Sequence, residues 1–177
     1  MVTIQEEQRK TYSMKETMEV AKSGMVDIEK FLRSYPSSLA VINVEDHDTY
    51  RKKDIDLLWV YLNKGVEQMK RIELKVDRYT SGNFFFETAS NVGKGTDGCF
   101  MYTEADYLFY YFQEWKKLYI LPVNEVRAWF IENEERFAEK SLGTKIGDKE
   151  AYSSKGRLVP IKTVVKECAN VKSYILP

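Results

Sequence analysis

Residues 71–77, RIELKVD, alternate strictly between charged and apolar side chains. No other stretch restricts the fold of this chain so tightly. Side chains change face at every residue of a strand, so Ile72, Leu74 and Val76 share one side while Arg71, Glu73, Lys75 and Asp77 share the other. Two further runs flank this one. The first, residues 55–62 (IDLLWVYL), is joined to it by a polar turn expected from Asn63 to Gln68; the second, Phe84 to Phe86, follows Thr80-Ser81-Gly82. Runs of this length, rich in β-branched and aromatic residues and bounded by Gly, Asn and Ser, read as consecutive strands of one sheet.

In the first run Asp56 lies on the same face as Asp54, Leu58 and Val60. Pairing of the first two runs then brings Asp56, Glu73 and Lys75 toward one end of one sheet face. Two carboxylates and a lysine so arranged suit phosphodiester hydrolysis. Hard cations such as Mg²⁺ take oxygen ligands and often use only one or two carboxylates. The cation lowers the pKa of a bound water and neutralises charge in the transition state, while a neighbouring lysine holds that water or stabilises the developing anion. An amphipathic strand with Glu and Lys alternating on a solvated face has the same pattern, because opposite charges there aid pairing and solubility.

The order Asp56, then Glu73-Leu74-Lys75 on the next strand, resembles the D…E-x-K core of the PD-(D/E)XK nuclease superfamily, with Ile55 where a proline usually precedes the aspartate. N-F-F-F-E at 83–87 and T-E-A-D-Y at 103–107 are similar to a pattern in phage and bacterial members: a strand ending in Glu, a Gly-containing loop, then an A-D-Y strand. The resemblance spans about residues 20–122. It implies an α/β, restriction-endonuclease-like fold, with a central mixed β-sheet flanked by helices in the order helix, strands, helix, strand. It also implies a Mg²⁺- or Mn²⁺-dependent DNA endonuclease acting on duplex or branched DNA. Asp56 and Glu73 would bind the ion with the Leu74 carbonyl as a further ligand, and Lys75 would position or deprotonate the attacking water. An acid of the preceding helix, Asp27 or Glu29 rather than Glu19, would complete the site, and Glu87 would orient Lys75 or a metal-bound water. Many members are dimers, so a homodimer is an option that no sequence feature marks. The alternatives are a nuclease-like module that binds nucleic acid or protein without cutting, and an assembly component using the aromatic residues at 107–112 as an interface.

A length of 177 residues suits one domain, taken as residues 1–177, and 44% hydrophobic with 14% aromatic residues argues against disorder. Net charge is zero, which speaks against an indiscriminate polyanion binder. The charge is uneven, however: residues 50–80 carry 8 basic and 5 acidic side chains, 102–139 carry 4 and 8, and 140–177 carry 8 and 3. A basic side and an acidic side suit a nucleic-acid face with a solvated back. Lys52 and Lys53 before the Asp56 strand, Arg78 after Lys75, and Lys94 in the glycine-rich stretch 90–100 are the candidate phosphate contacts. Cys99 and Cys168 are widely spaced and there is one histidine, so an ordinary zinc site is not expected and the thiols read as reduced. With a polar N-terminus and no apolar run of membrane-spanning length, the expected setting is cytoplasmic.

Elsewhere the pattern predicts a helix over 13–35 ended by Pro36, a strand over 39–44, and an acidic loop at 45–48 whose His47 is more simply a solvated loop residue than a ligand. It predicts strands at 105–112 and 117–121, buried on both faces, then a helix capped by Asn124 and running to about Lys140. Residues 141–157 read as a mobile loop carrying Lys145, Lys149, Lys155 and Arg157. A short strand at 158–161, a helix at 162–169 and an edge strand at 171–176 follow.

Overall fold

A computed structural model describes residues 11–78, 81–146 and 149–177, with side chains described at 15–78, 81–143 and 153–177. Thr80 and the side chains of Lys145 and Lys149 lie outside the described residues. The chain begins with β1 (Thr11–Ser13), α1 (Met14–Arg33), β2 (Ser38–Asn43) and α2 (Asp48–Arg51). Next come β3 (Leu57–Asn63), β4 (Val66–Asp77), β5 (Asn83–Asn91), β6 (Thr96–Asp97) and α3 (Cys99–Tyr102). After them stand β7 (Tyr107–Phe112), β8 (Lys117–Pro122), α4 (Val123–Asn133) and β9 (Ala138–Ile146). The chain closes with β10 (Lys149–Pro160), α5 (Ile161–Glu167) and β11 (Lys172–Ile175).

The turn between β3 and β4 is tighter than its composition suggests. Lys64 and Gly65 both have positive φ, 50° and 80°, and pair Asn63 with Val66. A two-residue turn of this hand matches the right-handed twist of the flanking strands, so β4 starts at Val66 and the turn does not extend to Gln68.

These strands lie in a mixed six-stranded sheet of order β11-β8-β7-β4-β3-β2. β4 and β7 are parallel and the other pairs antiparallel. One face carries Leu57, Ile72, Phe109 and Tyr111 against Met25, Ile28 and Leu32 of α1. The other carries Leu58, Leu108, Tyr110 and Phe112 against Phe84 and Phe86 of β5, Phe100 of α3 and Val126 and Phe130 of α4. Burial on both faces accounts for the unbroken aromatic run of β7, as expected.

The third strand run does not join this sheet. β5 belongs to a second, five-stranded sheet of order β1-β9-β10-β5-β6. Tyr110 ties the two together, donating to Asp77 (3.2 Å) and accepting from the Phe85 amide (3.1 Å). The segment expected as a loop at 141–157 is most of the β9–β10 hairpin of this second sheet. The helix expected to reach Lys140 ends at Asn133, followed by a 3₁₀ turn at 134–136, and its N-cap is Pro122 instead of Asn124. Among the described residues no helix is long and apolar enough to cross a membrane.

Candidate metal centre

The alternation of β4 sends Glu73 and Lys75 away from α1, into the space between the two sheets. Asp56 arrives beside them because its amide bonds the Ile72 carbonyl at 2.9 Å, extending β3 by one residue. Beyond that point the two backbones part. The Leu74 amide is met by Asp56 Oδ2 at 2.8 Å in place of a strand partner. A strand residue's N–H and C=O leave the backbone in the same direction, so the Leu74 carbonyl is turned into the same gap.

Asp54 makes the departure. Its φ of +54° lies in the left-handed region, which Asp tolerates better than most residues. Thr103 holds it there, its hydroxyl donating to the Asp54 carbonyl at 2.7 Å and accepting from the Ala105 amide at 3.1 Å. The T-E-A-D-Y segment therefore supports the site instead of entering it. Its Asp106 grips Arg71 through the Arg71 amide (2.8 Å) and the guanidinium (2.9 and 3.3 Å), locking β7 against β4. α3 brings a further group, Cys99. A Cβ on Gly98 would collide with the Glu87 carbonyl of β5, so a glycine at 98 is what lets α3 sit this close. Arg127 of α4 clamps the other end of α3, donating to the carbonyls of Phe100 (2.9 Å) and Thr103 (2.6 Å).

Asp54, Glu73 and Cys99 converge: one carboxylate oxygen from each acid and the Cys99 sulfur lie within 4.8 Å of one another, a group able to hold a metal ion. Glu73 is only 8% exposed. Asp54 Oδ2 and Glu73 Oε2 are buried without a hydrogen-bond partner. Such atoms are costly to bury, and a cation or a hydrogen-bond donor would offset that cost.

The electrostatics agree. Burial, then the charges of Asp56 and Asp54, holds the Glu73 carboxyl well above the usual carboxylate range, and it donates to Asp56. Burial and the Asp56 charge push Asp54 up to about 6, against the pull of Lys75. Asp56 is also raised by burial, although the Leu74 amide and Glu73 oppose the shift. Burial acts to lower Lys75, but Cys99, Glu87, Glu73 and Asp77 outweigh it and the ammonium is held charged. Burial pushes the Cys99 thiol up. Three carboxyls sharing one lysine are each harder to ionise than in water, and a divalent cation would favour their ionised forms.

The structure thus brings Asp56, Glu73 and Lys75 together, with Glu87 of β5 near enough to act on the charge of Lys75. The helix acids do not join them. α1 covers the opposite face of the sheet, where Asp27 accepts from the Tyr111 hydroxyl at 3.1 Å and Glu29 pairs with Arg33 at 3.2 Å; Glu19 is exposed. His47 caps α2, its Nδ1 accepting from the Thr49 amide at 3.3 Å. Of the candidate phosphate contacts, Lys53 is engaged by Glu104 at 2.7 Å and Arg78 reaches Glu16 at 3.7 Å, while Lys52 and Lys94 are exposed. Sequence reasoning missed Asp54 and Cys99 as members. Asp54 had a signal, its shared face with Asp56; Cys99, alone in its segment, had none. Compared with protein-family models, curated proteins and solved structures, the chain matches none.

Proposed function

We propose that the chain is a metal-dependent nuclease that hydrolyses DNA phosphodiester bonds at the Asp54–Asp56–Glu73–Lys75 cluster. The observation that carries this reading is a pair of converging acids, Asp54 and Glu73, each with a buried, unpartnered oxygen, beside a lysine held charged. The order of elements supports it: α1, the antiparallel strands β2, β3 and β4, a crossover carrying α3, then β7 parallel to β4. That is the helix, strands, helix, strand order of the restriction-endonuclease-like fold. The crossover here also carries β5 and β6.

The donor set, carboxylates with the Leu74 carbonyl, fits a hard divalent cation, Mg²⁺ or Mn²⁺. When bound, such an ion neutralises phosphate charge and acidifies a water. Asp54 and Glu73 offer the free oxygens. Asp56 is committed to the Leu74 amide and accepts from Glu73, so it keeps the strand gap open beside the two acids. Lys75 stays protonated, which suits it to orient the attacking water and stabilise charge on the phosphoryl oxygens rather than to remove a proton. The exposed Lys52 and Lys94 supply phosphate contacts, duplex or branched DNA being the expected substrate.

Supercoiled plasmid incubated with the protein in Mn²⁺, and separately in EDTA, tests the reading. Conversion to the nicked form in Mn²⁺ alone is expected. Retarded but uncut plasmid in Mn²⁺ would reject hydrolysis in favour of a nuclease-like binding module.

A further inference from the structure

Cys99 has no part in phosphodiester hydrolysis, yet its sulfur stands within 4.8 Å of both an Asp54 and a Glu73 oxygen. The fold takes some trouble to put it there, through the glycine contact at 98 and the Arg127 clamp on α3. The other cysteine, Cys168, is buried in the apolar core with Val164 of α5 and offers no disulfide partner to it. Each acid also carries a buried oxygen without a hydrogen-bond partner, Asp54 Oδ2 and Glu73 Oε2, and Glu73 is 8% exposed. These atoms lack a partner that must be cationic or a donor.

Their donor types select the class of cation. A tetrahedral ion about 2.0–2.2 Å from carboxylate oxygen and about 2.3 Å from sulfur places oxygen and sulfur about 3.5 Å apart, inside the 4.8 Å that bounds the group. Mg²⁺ takes oxygen ligands and would leave the thiol unused, whereas zinc-class ions accept thiolate and carboxylate together. We propose that Asp54, Glu73 and Cys99 form a binding site for a thiophilic divalent transition ion of the zinc class, with sulfur as a direct ligand and a fourth position left open to solvent or substrate. The thiol proton leaves to solvent as the ion binds. Cys99 then extends the pocket's range from hard cations to thiophilic ones. The inference uses the same pocket as the hydrolytic reading, but it concerns binding alone and stands whether or not DNA is cut.

Zn²⁺ has no visible spectrum, so Co²⁺ serves as its probe on the intact chain without nucleic acid. A thiolate-to-cobalt charge-transfer band is expected in the wild type and in Cys168→Ser, and its absence in Cys99→Ser. Zn²⁺ affinity, measured against a competing chelator, should fall at least about tenfold in Cys99→Ser, while Mg²⁺ affinity stays within about twofold. A cobalt-saturated wild type without the band, or a band that survives Cys99→Ser, overturns the proposal. X-ray absorption on the zinc-loaded wild type needs no variant, and decides the matter even if Cys99→Ser fails to fold. One sulfur neighbour at about 2.3 Å supports the site, and a shell of oxygen and nitrogen alone rejects it. Plasmid nicking assayed in parallel separates the two proposals: the band without nicking leaves the metal site and ends the hydrolase, and nicking without the band does the reverse.

Discussion

At Asp54 three demands meet: left-handed backbone, a half-buried carboxyl, and a buried oxygen with no donor. Asn tolerates the same backbone and carries no charge, so Asp54→Asn separates stability from function. In EDTA at pH 7.5 the variant should be more stable than the wild type, by at most about 3 kcal/mol, the cost of ionising a carboxyl raised from 3.8 to about 6. Its Mn²⁺ affinity should drop at least about tenfold. Chemical denaturation and calorimetry read the two effects, and a variant that is destabilised with undiminished Mn²⁺ affinity would remove Asp54 from the site. Lys75 poses a different test. Lys75→Met keeps most of the side-chain volume and removes the cation, so nicking should fall at least about a hundredfold while Mn²⁺ binding is not weakened. Nicking within about threefold of wild type would end its assigned role. The Asp56, Glu73 and Lys75 trio was legible because strand alternation is a local rule. The backbone of Asp54 was not, since it is set by Thr103, 49 residues away. Asp27 and Glu29 were misjudged because helical spacing does not say which sheet face a helix covers.

The central elements were readable because each has one strong period: the α1 stripe, the alternation of β4, the aromatic run of β7. β9 and β10 were not, and the reason is physical. Their alternation is diluted by Ser141, Gly143, Ser153 and Ser154 among lysines, and they acquire strand structure from pairing, β10 with β5 and β9 with β10. Pairing of that kind is a tertiary decision that local propensity does not contain. The same limit applies to α3, four residues long and too short to be stable alone. It is held by the second sheet beneath Gly98 and by Arg127. Gly98→Ala should therefore push α3 off β5, lowering stability by about 1–3 kcal/mol and abolishing the cobalt charge-transfer band by moving Cys99. A thermal melt and an absorption spectrum measure both. A variant that keeps the band would show that the close approach at 98 does not position the sulfur.

For the molecule as a whole, the cluster couples stability to pH with a definite sign. Asp54 titrates near 6 in the folded chain and near 3.8 when unfolded, so between these values the native state binds more protons. Stability then declines as pH rises through about 4 to 6, and Glu73, also raised, extends the decline upward. Asp106 acts in the opposite direction: despite burial, its bonds from Arg71 lower it, so its contribution is present above its unfolded pKa and is lost as pH falls through the lowered value. Exposed Glu167, lowered to about 2 by its bonds from Arg136 and Trp129, behaves likewise. The two trends oppose each other on the acid side of neutrality. A divalent cation bound as proposed would replace protons on the same carboxylates, so its stabilising effect would grow as they ionise. In EDTA the melting temperature should fall between pH 5 and 7; saturating Mn²⁺ should flatten that fall, and Asp54→Asn should flatten part of it without metal. Scanning calorimetry of the three samples is sufficient. A melting temperature that rises from pH 5 to 7 in EDTA, or a Mn²⁺ increment equal at both pH values, would mean that the converging carboxyls do not control the stability of the fold and do not share a cation.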